Sequence, residues 1–225
     1  MRHWQLQRLG EDGLLLQLGT SIDAALNTQV HALNTQIQAQ RPAWLRDSVP
    51  GYSSLALFLN EQAFAHSQDP LQTAETWLHH LLQAAPLGTA RNTSRCVEIP
   101  VHYGGEAGPD LAFVAERARL SSEEVIHLHC SAEYRVAMLG FSPGFPYLLG
   151  LDPRLTTPRR STPRTLVPAG SIAIGGAQTG LYPQASPGGW NLIGRTALAL
   201  FDPQRAAPSL LAPGDRVRFI AINGT

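Results

Sequence analysis

Apolar positions along the first ninety or so residues repeat at two periods, one suited to strands and the other to helices. Leu14-Leu15-Leu16-Gln17-Leu18 is a short apolar run ended by Gly19, which predicts a strand. Ile22, Leu26, Val30, Leu33 and Ile37 then step by four, four, three and four, one buried stripe of a helix that Ser21 or Thr20 would cap and Pro42 would close. Two strand-like runs follow, Trp44 to Val49 and Ser54 to Leu59, separated by a Pro50-Gly51 turn. Asp69-Pro70 reads as N-cap and first residue of a second helix, with Leu71, Ala74, Leu78, Leu81 and Ala85 on its apolar face as far as Pro86-Leu87-Gly88. The order strand, helix, strand, strand, helix predicts helices on one face of a small sheet.

The polar stretch Gly88 to Ser94 breaks this pattern and predicts a linker, dividing the chain into a small α/β domain, 1–90, and a second domain, 91–225. Cys96 to Tyr103 predicts a strand. Gly108-Pro109-Asp110 leads into one short helix, and Ser121-Ser122-Glu123-Glu124 opens another with a capping-box pattern. From Tyr134 onward, Pro and Gly recur between short β-rich pieces: Arg135 to Leu139, Ser171 to Ile174, Leu198 to Phe201 and Arg216 to Ile222. Many short strands between such turns predict a β-barrel or sandwich, so the expected class is α+β.

Composition narrows the chemistry. The 225 residues carry 17 basic and 17 acidic groups, and every basic one is Arg. Without Lys there is no Schiff-base or PLP attachment, no P-loop lysine, and no site for covalent biotin or lipoate. Zero net charge gives no global electrostatic reason to bind nucleic acid or an anionic membrane. The first residues lack a signal-peptide pattern, and Cys96 and Cys130 are too few for a disulfide framework, so a cytoplasmic location is expected. The uncharged run Thr165 to Gly194 holds seven Gly and three Pro and reads as loop and strand, not as a membrane helix.

Gly140-Phe141-Ser142-Pro143-Gly144 matches the G-x-S-x-G pattern of serine hydrolases but fails on mechanism. The residue after the nucleophile must offer a backbone N–H to the oxyanion, and Pro143 has none; a tight turn with a capping Ser is expected instead. His127, His129 and Cys130 lie at the end of a predicted helix, where residues two apart do not share a face, so no metal site is expected. Pro158-Arg159-Arg160-Ser161-Thr162-Pro163-Arg164 gathers three guanidinium groups on a stiff segment, suited either to an anion or to acids elsewhere on the surface. The glycine-rich run Gly175 to Pro183, followed by Ser186-Pro187-Gly188-Gly189-Trp190, allows close approach by a ligand or another chain, or forms plain barrel corners.

Taken with Leu139 to Leu148, Val167-Pro168-Ala169-Gly170-Ser171 and Asn191 to Thr196, these segments resemble the KipI family, also called allophanate hydrolase subunit 1. Val49 to Leu55, Tyr103-Gly104-Gly105 and Gly108 to Leu111 extend the resemblance nearly end to end. It implies a small α/β domain followed by a cyclophilin-like β-barrel. Bacterial members include the B-type component of 5-oxoprolinase, which works with a KipA-like, C-type partner and an A-type protein to open 5-oxo-L-proline to L-glutamate using ATP. A related module of urea carboxylase transfers a carboxyl group from biotin to urea, and the sporulation-control member inhibits a histidine kinase. A chain of this length favours the stand-alone component. With no nucleotide motif in view, ATP is expected wholly or partly on another component of the complex, leaving this one inactive alone. The resemblance points to His129, Arg159, Arg164, Gln178, Tyr182, Ser186 and Trp190 as lining one shared pocket, the last six as substrate-binding residues with Arg anchoring an anion, and His129 as a proton donor or acceptor. Six Arg and one acid, Asp152, lie between Arg135 and Arg195, so the overall neutrality averages two unlike parts.

Overall fold

The computed structural model describes residues 4–64, 69–84 and 95–222, and divides into two compact units, Met1–Thr93 and Ser94–Thr225. The expected linker, Gly88 to Ser94, and the end of the second apolar stripe, Ala85 to Gly88, lie outside the described residues.

The first unit is built on a four-stranded antiparallel sheet: β1 (Gln5–Arg8), β2 (Gly13–Gln17), β3 (Leu45–Pro50) and β4 (Ser54–Leu59), in the order β1-β2-β4-β3. Alternation places Leu14 and Leu16 of β2 and Leu55, Leu57 and Leu59 of β4 on one fully buried face. The helices α1 (Ala24–Gln40) and α2 (Pro70–Ala84) bury Val30, Leu33 and Ile37, and Leu71, Ala74 and Leu78, in that same core. Asp69 caps α2 as its sequence predicts, accepting from the Gln72 N–H at 3.0 Å. At α1 the cap is Asp23, accepting from Leu26 N–H at 2.8 Å, rather than Ser21 or Thr20. Ile22 therefore falls outside the helix, 56% exposed.

The second unit begins with β5 (Cys96–Tyr103), α3 (Leu111–Ala118) and α4 (Ser122–Ser131), the last opened by the predicted reciprocal bonds of Ser121 and Glu124. The strands β6 (Tyr134–Leu139), β7 (Pro146–Leu149), β9 (Ser171–Gly175), β10 (Gln178–Leu181), β12 (Asn191–Arg195) and β13 (Arg216–Ala221) close with β5 into a seven-stranded barrel, ordered β10-β7-β6-β13-β5-β12-β9. All pairs are antiparallel except β13 on β5, which run parallel in continuous register from Arg216 opposite Cys96 to Ala221 opposite Val101. Leu198 to Phe201 forms no strand; Phe201 makes a single bridge to Ser209.

Two remaining strands, β8 (Arg164–Val167) and β11 (Ser186–Gly188), pair with each other as a separate ribbon. In β9, Ile172 and Ile174 join the main core while the intervening Ala173 joins a second cluster with Phe145, Val167, Tyr182, Trp190 and Leu192. Val167 of the ribbon belongs to this second cluster, which explains why β9 is buried at every position instead of alternating. A cleft opens over this outer layer.

Candidate functional site

The layer is aromatic. The Phe145 ring meets Tyr182 and Trp190 edge-on at centroid distances of 5.2 and 5.7 Å, Tyr147 meets Trp190 at 6.0 Å, and Phe141 from the β6–β7 turn meets Phe145 at 5.5 Å. Above them opens a cleft of about 200 Å³ whose rim is Arg159, Arg160 and Pro163. The Arg159 guanidinium stands 5.6 Å from the centre of the Trp190 ring, and among the described residues it has no ion-pair partner. Burial holds the Tyr182 hydroxyl above the ordinary phenol value, opposed by the Trp190 backbone amide and the charges of Arg159 and Arg164. It stays protonated.

Two glycines make this packing possible. A Cβ on Gly175 would sit 2.5 Å from the Trp190 indole, and one on Gly188 would collide with the Tyr182 hydroxyl. What the glycine-rich run admits closely is thus the protein's own Trp190 and Tyr182.

The Arg-rich segment is anchored by a residue that sequence reasoning used only as a helix entry. Asp110, 6% exposed, makes no side-chain cap bond to α3. Its Oδ1 accepts from Arg164 Nη2 at 2.8 Å and Arg160 Nη1 at 3.2 Å, and its Oδ2 from the Leu192 N–H at 2.7 Å. One carboxylate therefore holds two guanidiniums, and Arg164 Nη1 is buried with no hydrogen-bond partner among the described residues. The sequence signal was present, a lone acid beside a Gly-Pro turn, but its partners lie 50 and 54 positions away.

Of the predicted site residues, Arg159, Tyr182 and Trp190 meet in this cleft. Arg164 and Ser186 begin the two strands of the adjoining ribbon, and the buried Ser186 hydroxyl has no partner among the described residues. Gln178 opens β10 opposite Gly175 and does not line the cleft.

His129 does not line it either, which corrects the expectation of one shared pocket. Its ring lies fully buried inside the barrel unit, 4.4 Å from the centroid of Phe219. Thr179 donates its hydroxyl to the Ala173 carbonyl at 3.0 Å, so at 3.1 Å it accepts from His129 Nε2–H. Nδ1 is then the acceptor and takes the Tyr103 hydroxyl proton at 2.7 Å, while Cys130 Sγ donates to the Tyr103 oxygen at 3.5 Å. Burial lowers the His129 pKa to about 3 and pushes that of Tyr103 up. With both nitrogens hydrogen-bonded, the ring ties Tyr103 to Thr179 inside the unit.

Gly140 to Gly144 forms the expected turn, with Phe141 at a φ of 64°, but the buried Ser142 hydroxyl caps nothing among the described residues. Among them no group of three or more His, Cys, Asp or Glu side chains is placed to hold a metal, and no helix is long and apolar enough to cross a membrane.

Residues 4–211 match the carboxyltransferase domain, subdomain C and D. The chain belongs to that family. It is 42% identical to the B subunit of 5-oxoprolinase from Bacillus subtilis over 98% of its own length and 93% of the relative's, and 45% identical to the Escherichia coli O157:H7 protein of the same name, covering 94% and 93%. Among solved structures of this family's fold, TTHA0988 aligns with a TM-score of 0.79 at 41% identity, over 95% of this chain and 40% of that one. The Kluyveromyces lactis urea amidolyase, at 20% identity and a TM-score of 0.75 over 97% of this chain and 15% of that one, shares the carboxyltransferase-domain fold.

Proposed function

We propose that this chain is the B-type component of a cytoplasmic, ATP-dependent 5-oxoprolinase. With a KipA-like, C-type partner and an A-type protein it opens 5-oxo-L-proline to L-glutamate, and it does not turn over substrate alone. The observation that carries this reading is the 42–45% identity, over nearly the whole chain, to proteins named as the B subunit of 5-oxoprolinase. The cleft supports it: its volume suits a five-membered ring, its aromatic floor suits the ring's face, and Arg159 suits the carboxylate. An unstrained lactam is a poor electrophile, and phosphorylation of its amide oxygen by ATP supplies the activation. In this reading the Tyr182 hydroxyl and Arg159 hold oxygens of the bound substrate. With no nucleotide motif in the chain, ATP is assigned wholly or partly to another component of the complex.

Glutamate release from 5-oxoproline by the three purified proteins with ATP tests this. Activity that requires all three is expected. Full activity without this chain, or none with all three, removes the assignment. The same mixture supplied with urea, bicarbonate, ATP and a biotinylated carrier tests the carboxyltransferase reading that the family favours.

A further inference from the structure

A second cavity, of about 490 Å³, shares Arg159 and Arg160 with the aromatic cleft. The helix α3 contributes to its lining. Phe113 and Arg117, four residues apart, stand one above the other on that helix, and both are exposed. Ser161 and Thr162 add two hydroxyls.

The charge balance is uneven. Three guanidiniums, Arg117, Arg159 and Arg160, line the cavity against one carboxylate, Asp110, which gives a formal +2. Asp110 is already engaged by Arg160 and Arg164, and among the described residues neither Arg117 nor Arg159 has an ion-pair partner. Two guanidinium forks without an ion-pair partner among the described residues, beside hydroxyl donors, suit tetrahedral oxygens, and +2 complements the charge of about −2 on a phosphate monoester. A single phosphate leaves most of this volume unfilled. Phe113, 51% exposed at the rim, offers a flat apolar face to whatever the phosphate is attached to.

We propose that the cavity between α3 and residues 158–162 is a phosphate-binding site, held by Arg117, Arg159 and Arg160 with Phe113 at its mouth. Such a site brings phosphate oxygens and the contents of the aromatic cleft to the same two arginines. The phosphate comes either from the free anion or from a nucleotide, and the two sources are separable.

The test is calorimetric titration of the full chain with inorganic phosphate, ADP and ATP at constant ionic strength, in wild type, Arg117→Gln and Phe113→Ala. Saturable binding at one site is expected, with nucleotides displacing phosphate. Arg117→Gln weakens every ligand about tenfold, the loss of one charge-assisted contact. Nucleotide binding tighter than phosphate, with the excess lost in Phe113→Ala, identifies a nucleotide as the source. Equal affinities identify the free anion, and either result upholds the site. No saturable binding of any of the three, or wild-type affinity in Arg117→Gln, overturns it. Circular dichroism of the variants separates lost binding from lost fold, since both replaced side chains are exposed. The inference goes beyond the 5-oxoprolinase reading. Failure here leaves that reading standing on glutamate release, and failure there leaves the titration unaffected.

Discussion

Replacing Asp110 by Asn tests whether one carboxylate holds the Arg-rich segment against the barrel. The amide keeps the shape but has one acceptor where the carboxylate has two. If its oxygen keeps the Leu192 N–H, its NH2 group faces the donors of Arg160 and Arg164. Each bond to a charged partner contributes roughly 1.5–3 kcal/mol. The Arg160 side chain is 38% exposed, so water replaces most of what it loses. Arg164 is 24% exposed, and its other terminal nitrogen is already buried with no partner among the described residues, so it bears most of the cost. The expected loss is about 2 kcal/mol, which for a unit of this size lowers Tm by roughly 8 °C. α3 loses little, because Asp110 makes no cap bond to it. Hydrogen exchange read by mass spectrometry supplies the local readout: uptake rises in peptides covering 158–164, where the Arg160 N–H is bonded to Gly189, and stays unchanged in β6. Unchanged uptake in 158–164 with Tm within about 1 °C of wild type would refute the argument, because the proline-stiffened backbone would then be holding the arginines unaided.

Two further substitutions probe the interior and the cleft. His129 has a folded pKa of about 3 against an ordinary 6.5, so below pH 6.5 the unfolded chain takes up a proton that the folded one refuses. Stability contributed by the neutral ring is therefore complete above pH 6.5 and is lost as pH falls towards 3, by about 2 kcal/mol between pH 7 and pH 5. Urea unfolding at the two pH values should show this loss in wild type and a smaller one in His129→Gln; equal losses would contradict the buried neutral ring. Gly175→Ala puts a methyl group 2.5 Å from the Trp190 indole, which must swing away. The expected cost is roughly 1–3 kcal/mol, with red-shifted emission from Trp190, the sole Trp after residue 93, and an unshifted spectrum with unchanged stability would show that the ring does not rest on this glycine.

Elements fixed by local chemistry were legible in advance. The capping box at Ser121, Asp69-Pro70 at the start of α2, and the alternating runs of β4 and β5 all carry their own signals within a few residues. β1 was missed because it carries little apolar alternation: Gln5, Gln7 and Arg8 are exposed and only Leu6 is partly buried. The cap of α1 was misplaced because Ile22 continued the four-residue spacing one step beyond the helix, where the residue in fact faces solvent. The cleft was partly legible, since Arg159, Tyr182 and Trp190 lie on recognisable segments. Asp110 was not, because its partners lie about fifty residues further on, and ion pairing over that distance leaves no trace in the spacing of either segment. His129 was assigned to the pocket because sequence gives the face of a short helix poorly; the barrel interior, reached through Tyr103 and Thr179, is a property of closure.

The parallel pairing of β13 with β5 sets a timetable for synthesis. Residues 96–101 leave the ribosome 120 positions before their partners at 216–221. At cellular rates of about 5–20 residues per second, β5 waits roughly 6–24 s for the neighbour that completes it. During that interval Ile99 and Val101, both fully buried at the end, belong to an open sheet edge that can pair with other chains. The amino-terminal unit draws its sheet and both helices from the first 93 residues and can fold while the second is still being made. A message truncated just before Arg216 therefore yields an unclosed sheet attached to a folded unit, a species prone to aggregate, and not a slightly shorter barrel.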